Sequence, residues 1–346
     1  MNEATAQFTE ALIDKFPLAI MAFIIAMALT PIFTYFAYKY KFWKKQKTVT
    51  LDGKELIVMN KLHETKLRRN IPTMAGVIFV VTITAITLIF NLSREQTWLP
   101  LAALLGAAAV GLIDDIMNVR SNGKGAAGMR ATMKFLLITI LSLWLGWFFF
   151  SKLGYTGILV PLIGEVHVGW LIIPIFAFTV IATGNAVNIS DGQDGLSGGL
   201  SAIAFSVFAV IALAQQQFGI MGFCITIVGA LLAYLWFNVY PARFFMGDVG
   251  SFALGCSLAV VAMLTNTLFL LPIIGFVFVV DTGTVIIQQF SKKFFHRKIW
   301  LSTPIHHHFE AIGWPETKVT ARFWLIGIAT GAIGLILALM EIAGRV

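Results

Sequence analysis

Apolar residues in this chain run in long unbroken stretches instead of alternating with polar ones, a pattern of helices and not of half-buried strands. Ten such stretches recur, at 17–38, 72–91, 98–117, 132–150, 168–189, 196–215, 218–239, 249–265, 268–289 and 321–341. About twenty helical residues, rising 1.5 Å each, cross the roughly 30 Å of hydrocarbon in a bilayer. The pattern therefore predicts an all-α polytopic membrane protein with about ten transmembrane helices, and it excludes a membrane barrel, whose strands would alternate. Between 151 and 169, glycines interrupt Ile158-Leu-Val and Val166-His-Val, a weak hairpin signal. No repeat or low-complexity tract is visible, and 1–346 reads as a single integral-membrane domain.

Composition agrees: 58% of the 346 residues are hydrophobic and 12% charged, unlike a soluble domain of this length. The formal net charge of +8 calls for no nucleic-acid partner, because the basic residues are sorted by loop. The segment 39–69 holds ten Lys or Arg, and Arg120, Lys124, Arg130, Lys134, Arg243, Lys292, Lys293, Arg297, Lys298, Lys318 and Arg322 fall on the same side. Only Lys15, Arg94, Lys152 and Arg345 remain for the other. The positive-inside rule then predicts cytoplasmic basic loops and both termini outside. Such loops also attract lipid headgroups and phosphorylated substrates. The opening residues carry Glu3, Glu10 and Asp14, the wrong charge for a cleavable signal peptide, so the first span is expected to direct insertion. Cys224 and Cys256 lie inside apolar runs and read as small core residues.

The strongly polar clusters all fall on the basic side. Asp114-Asp115 end the third span; Gly184-Asn-Ala-Val-Asn-Ile-Ser-Asp-Gly-Gln-Asp-Gly-Leu196 ends the fifth; Phe244-Phe-Met-Gly-Asp-Val-Gly-Ser251 opens the eighth; His306-His-His308 precede the tenth. Each has an ordinary reading: an interfacial acidic pair, a turn-rich loop, a helix cap, a solvated loop. Unrelated accidents would scatter over both faces, so one site built from several helix ends is the economical explanation. Adjacent helical residues point about 100° apart, so Asp114 and Asp115 should have different partners. Oxygen and amide groups of this kind suit magnesium, phosphate or both. An extended segment would put His306 and His308 on one face, as donors to phosphate or as walls of the pocket. Asp281 lies within the ninth span, where Thr282 and Thr284 offer local hydrogen bonds, which favours a structural role.

Together with Pro72-Thr-Met-Ala-Gly76, Pro304-Ile-His-His-His-Phe-Glu310, Gly313-Trp-Pro-Glu316 and Arg322-Phe-Trp324, these motifs occur in an order that resembles the phospho-N-acetylmuramoyl-pentapeptide transferase family. That family lies within the polyprenyl-phosphate N-acetylhexosamine-1-phosphate transferases. The resemblance implies a bacterial cytoplasmic-membrane enzyme with ten helices, both termini outside, a site facing the cytoplasm and, as an assembly, a homodimer. It implies transfer of phospho-N-acetylmuramoyl-pentapeptide from its UDP carrier to undecaprenyl phosphate, giving lipid I and UMP with Mg2+. Carried over residue by residue, Asp248 is a magnesium ligand, Asp115 assists at the metal and phosphate, and Asp114 is the base on the lipid phosphate. Asp191, Asp194, Asn185 and Asn188 hold nucleotide and diphosphate, and His306 and His307 contact phosphate. Lys66, Arg68, Thr73, Lys124, Lys134, Ser251, Gln288 and His308 complete the substrate-binding set; either Lys66 or Arg68 stands for the family's lysine before Pro-Thr. Ala75, Gln193 and Thr303 replace the family's usual Gly, Leu and Ala beside the expected nucleotide pocket, which bears on uridine and inhibitor contacts more than on chemistry. A related transferase for another UDP-sugar would keep the aspartates but lack the histidine loop. A transporter would bury its charges at the midplane between repeats.

Overall fold

The computed structural model describes residues 3–43, 70–121, 128–161 and 163–344. Lys66, Arg68 and Lys124 lie outside them. The described chain is almost wholly helical: α1 Glu3–Lys39, α2 Gly76–Phe90, α3 Trp98–Arg120, α4 Ala131–Ser151, α5 Ile172–Ile189, α6 Leu196–Ala214, α7 Phe218–Asn238, α8 Gly247–Leu264, α9 Leu271–Ile274, α10 Phe276–Phe295, α11 Ile305–Ala311 and α12 Glu316–Ala343. Eight of these, α1, α3 to α8 and α12, are long and apolar enough to cross a membrane.

Two expected spans take another form. The second begins at Gly76 and not at 72, because Pro72 to Gly76 pair with another strand of backbone: the N–H groups of Ala75 and Gly76 donate to the carbonyls of Phe245 and Met246, and Phe245 N–H donates to Pro72. The ninth is broken at Gly275 into α9 and α10, and α10 carries Asp281, Lys292 and Lys293. The weak hairpin is real: β1 Gly157–Val160 pairs antiparallel with β2 Gly164–His167. It follows the far end of α4, and Leu159 N–H donates to Asn266 Oδ1 at 2.9 Å.

Helix α8 is the axis of the bundle. Every residue in it except Asp248 is buried, and it packs against α2, α3, α5 and α6. Lipid tails offer no hydrophobic drive between helices, so association rests on close packing by small residues. Gly250, Ser251, Ala253, Gly255 and Ser257 supply that surface on α8. On α3 the matching contact is Gly111, where any Cβ would collide with the Asp248 carbonyl and Val249 nitrogen. Outward faces stay apolar: Phe135, Leu136, Ile140, Trp144 and Trp147 of α4 are exposed, as suits lipid.

Gly111 therefore sets the α3–α8 spacing. Gly111→Val should lower stability by about 2–3 kcal/mol through overpacking, read as a drop in the thermal unfolding midpoint in detergent. Ala109→Val, on the exposed face of the same helix, should leave the midpoint in place; equal effects would contradict the close approach.

Candidate active site

The pairing of 72–76 with 245–246 and the α3–α8 contact bring three separate segments to one helix end. Gly247 has φ +72, a conformation that disfavours side chains, and a Cβ there would strike Asp115 Oδ2 and Thr73 Oγ1. The backbone thus turns into α8 with Asp115 and Thr73 pressed against it. Asp115 Oδ2 accepts the N–H of Val249 at 3.1 Å, placing negative charge at the positive end of α8.

Asp114 points elsewhere, as the 100° offset predicts. Its Oδ1 accepts the Met129 N–H at 2.6 Å; its Oδ2 accepts from Asn118 Nδ2 at 3.0 Å and Lys134 Nζ at 2.8 Å. The same ammonium pairs with Asp248 Oδ2, so Lys134 bridges the two carboxylates. Asn188 Nδ2 reaches Asp248 Oδ1 at 3.3 Å and Ser251 Oγ at 2.8 Å. Ser251 Oγ in turn donates to the Gly247 carbonyl at 3.1 Å. Asn185 spends one amide hydrogen on Ile181 O, 2.8 Å away, within its own helix. Asn185, Asn188 and Lys134 line a cavity of about 580 Å3 together with the apolar Met129, Phe135 and Phe252.

A second group adjoins the loop after α5. The histidines lie on a helix, α11, and not on an extended segment, because Pro304 and the following residues start a helical turn. His306 and His307 are therefore the buried pair, while His308 is half-exposed and its Nδ1 accepts the Leu301 N–H at 3.3 Å. The Nε2 atoms of His306 and His307 face the backbone of Gly192. His307 Nδ1 lies 2.6 Å from Glu310 Oε2. Burial lowers the His307 pKa from its ordinary 6.5, against the opposing pull of Glu310.

Other expected contacts turn inward. Asp194 Oδ2 accepts the Ala242 N–H at 2.9 Å, and its own N–H donates to Glu316 Oε1 at 2.6 Å, so it ties the α5–α6 loop to its neighbours. Asn238 does the same from α7, accepting from Gly195 N and donating to Phe244 O. Asp191 is half-exposed in that loop. Gln288 clamps the 299–300 backbone through Ile299 N, Trp300 N and Trp300 O. Asp281 is not held by its threonines: Thr284 Oγ1 bonds the Asp281 carbonyl, and the carboxylate pairs with His306 Nδ1 at 3.0 Å. The sequence signal for this was the polar spacing Asp281, Thr284, Gln288, Ser291, a single helical face in an otherwise apolar run.

Among the described residues no group of three or more His, Cys, Asp or Glu side chains is arranged to hold a metal alone. Asp115 and Asp248 nevertheless offer the hard oxygens magnesium prefers, and that ion commonly takes one or two carboxylates with substrate phosphate and water. The Lys134 ammonium between Asp114 and Asp248 marks the same spot as one that demands positive charge.

Fold and site define a class: a polytopic helical membrane protein gathering carboxylates, a lysine and histidines at its helix ends. Residues 97–266 match the family model described as glycosyl transferase family 4. Over 337 residues, 93% of this chain and 89% of the relative, it is 36% identical to the phospho-N-acetylmuramoyl-pentapeptide-transferase of Chloroflexus aggregans (strain MD-66 / DSM 9485). With the protein of that name from Bacillus mycoides (strain KBAB4) it shares 37% identity over 321 residues, 91% and 95% of the two chains. The chain belongs to the phospho-N-acetylmuramoyl-pentapeptide-transferase family.

Lys134→Met leaves two carboxylates facing each other without their shared cation. Since Lys134 keeps a fifth of its side chain exposed, the loss should be about 2 kcal/mol, below the value for a fully buried pair, and millimolar magnesium should restore part of the unfolding midpoint. No recovery would contradict a cation site between these groups. For His307 the folded state binds fewer protons than the unfolded state, so its contribution is complete above about pH 6.5 and is lost as pH falls below it. The unfolding midpoint should drop on acidification, and less so in His307→Gln.

Proposed function

We propose that this protein transfers phospho-N-acetylmuramoyl-pentapeptide from UDP to undecaprenyl phosphate at the cytoplasmic face of a bacterial inner membrane, forming lipid I and UMP. The observation that carries this reading is the Lys134 ammonium bridging Asp114 and Asp248 beside a cavity lined by both polar and apolar side chains. A lipid phosphate needs both: charge for its head and apolar surface for the start of its chain.

An oxygen of the lipid phosphate attacks the sugar-linked phosphorus, that phosphorus parts from the oxygen of UMP, and a lipid-linked diphosphate results. The attacking phosphate has a second pKa near 6 and is largely dianionic at neutral pH, so it needs little deprotonation. Bringing two anions together is the harder task. Lys134 and the basic loops attract them, and Asn188, fixed by Asp248 and Ser251, aligns them. Asp115 and Asp248 would hold a magnesium ion, which would supply positive charge to the diphosphate. Asp114 orients Lys134 and accepts any proton the lipid phosphate still carries. Half-exposed Asp191 faces the nucleotide, and His306 and His307 face phosphate.

Purified protein given UDP-linked muramoyl-pentapeptide, undecaprenyl phosphate and magnesium should release UMP, and UDP-N-acetylglucosamine should not substitute. Asp248→Asn should cut turnover by about 100- to 1,000-fold. Near-normal turnover in that variant would remove the assignment, and a phosphorylated protein formed from donor alone would replace the direct step with a covalent one.

A further inference from the structure

The polar face of α10 seats the whole segment that leads to α11. Ser291 Oγ donates to Arg297 O and Gln288 grips Ile299 and Trp300, each through backbone. Asp281 differs, because it binds a side chain. Its Oδ2 lies 3.0 Å from His306 Nδ1, and both residues are 0% exposed. Each also keeps one buried atom with no hydrogen-bond partner among the described residues, Asp281 Oδ1 and His306 Nε2. A buried ring nitrogen left unsatisfied is costly, which argues for a partner that arrives from outside the chain. The direction is given by Gly192, where an added Cβ would lie 2.6 Å from His306 Nε2 and 3.1 Å from His307 Nε2. Both ring edges are aimed at the loop that continues from Asn188 and Asp191.

We infer that Asp281 is a positioning residue for the transfer: it holds His306 by Nδ1 so that Nε2 is presented beside Gly192 to a phosphate oxygen of the bound donor. The inference rests on the transferase reading above. With Nδ1–H donating to the carboxylate, Nε2 is the position presented to phosphate; to donate there as well it must carry a second proton, and the carboxylate behind the ring balances the charge of that imidazolium. Carboxylates behind histidines fix tautomer and orientation in this way. Helix α11 has only seven residues, and the Asp281 contact adds a fixed point for the ring from a second helix. The role explains why a carboxylate is fully buried in α10, where an unpaired charge is expensive.

The test uses full-length protein and the variants Asp281→Asn, His306→Gln and both together. Asp281→Asn should lower kcat by about 100-fold with the donor KM within about threefold of wild type, as for a misplaced transition-state contact. In the His306→Gln background it should cost nothing further. Wild-type kcat in Asp281→Asn, or an equal additional loss in the double variant, would overturn the inference. Nitrogen-15 spectra of histidine-labelled wild type test it without turnover and without any Asp281 variant. The resonances missing from His306→Gln should report a proton on Nδ1, and an unprotonated Nδ1 would overturn it. Failure of the wild type to release UMP would count against the transferase reading, while the spectra still decide the Asp281–His306 arrangement.

Discussion

Carboxylates at the end of a membrane helix need a counter-charge, and here one ammonium serves two of them. Lys134 stands between Asp114 of α3 and Asp248 of α8, so three helices meet at a point where none would be stable alone. Removing water from two like charges is costly unless a cation sits between them.

The packing beneath enforces the meeting. Gly111 and the small residues of α8 let backbones approach until side chains at their ends must touch. The backbone pairing of 72–76 with 245–246 then adds Thr73 to the same corner. Asp114 and Asp115 are thereby held by hydrogen bonds from Met129, Asn118, Lys134 and Val249.

The α5–α6 loop is held from three sides. Ala242 and Glu316 take Asp194, Asn238 takes Gly195, and His306 and His307 face Gly192. Asp194 and Gln288, which read as ligands from their chemistry, also fix backbone. The polar groups lining the cavity include Lys134, Asn185 and Asn188.

The helical class, the location of the polar clusters and the divergence of Asp114 from Asp115 were all legible in the sequence, because hydrophobic run length and the 3.6-residue period are local properties. Family membership was legible for the same reason: its motifs are contiguous. The tertiary structure alone decided that Pro72 to Gly76 pair with backbone instead of starting a helix, and that the ninth span breaks at Gly275. It also decided that His306, not His308, is the buried partner of His307, and that Asp281 belongs to His306 instead of its neighbouring threonines. The pairing of Pro72 to Gly76 and that of Asp281 depend on which distant group satisfies a buried donor or acceptor; local spacing marks a polar face, as it does for Asp281, without naming a partner 25 or more residues away.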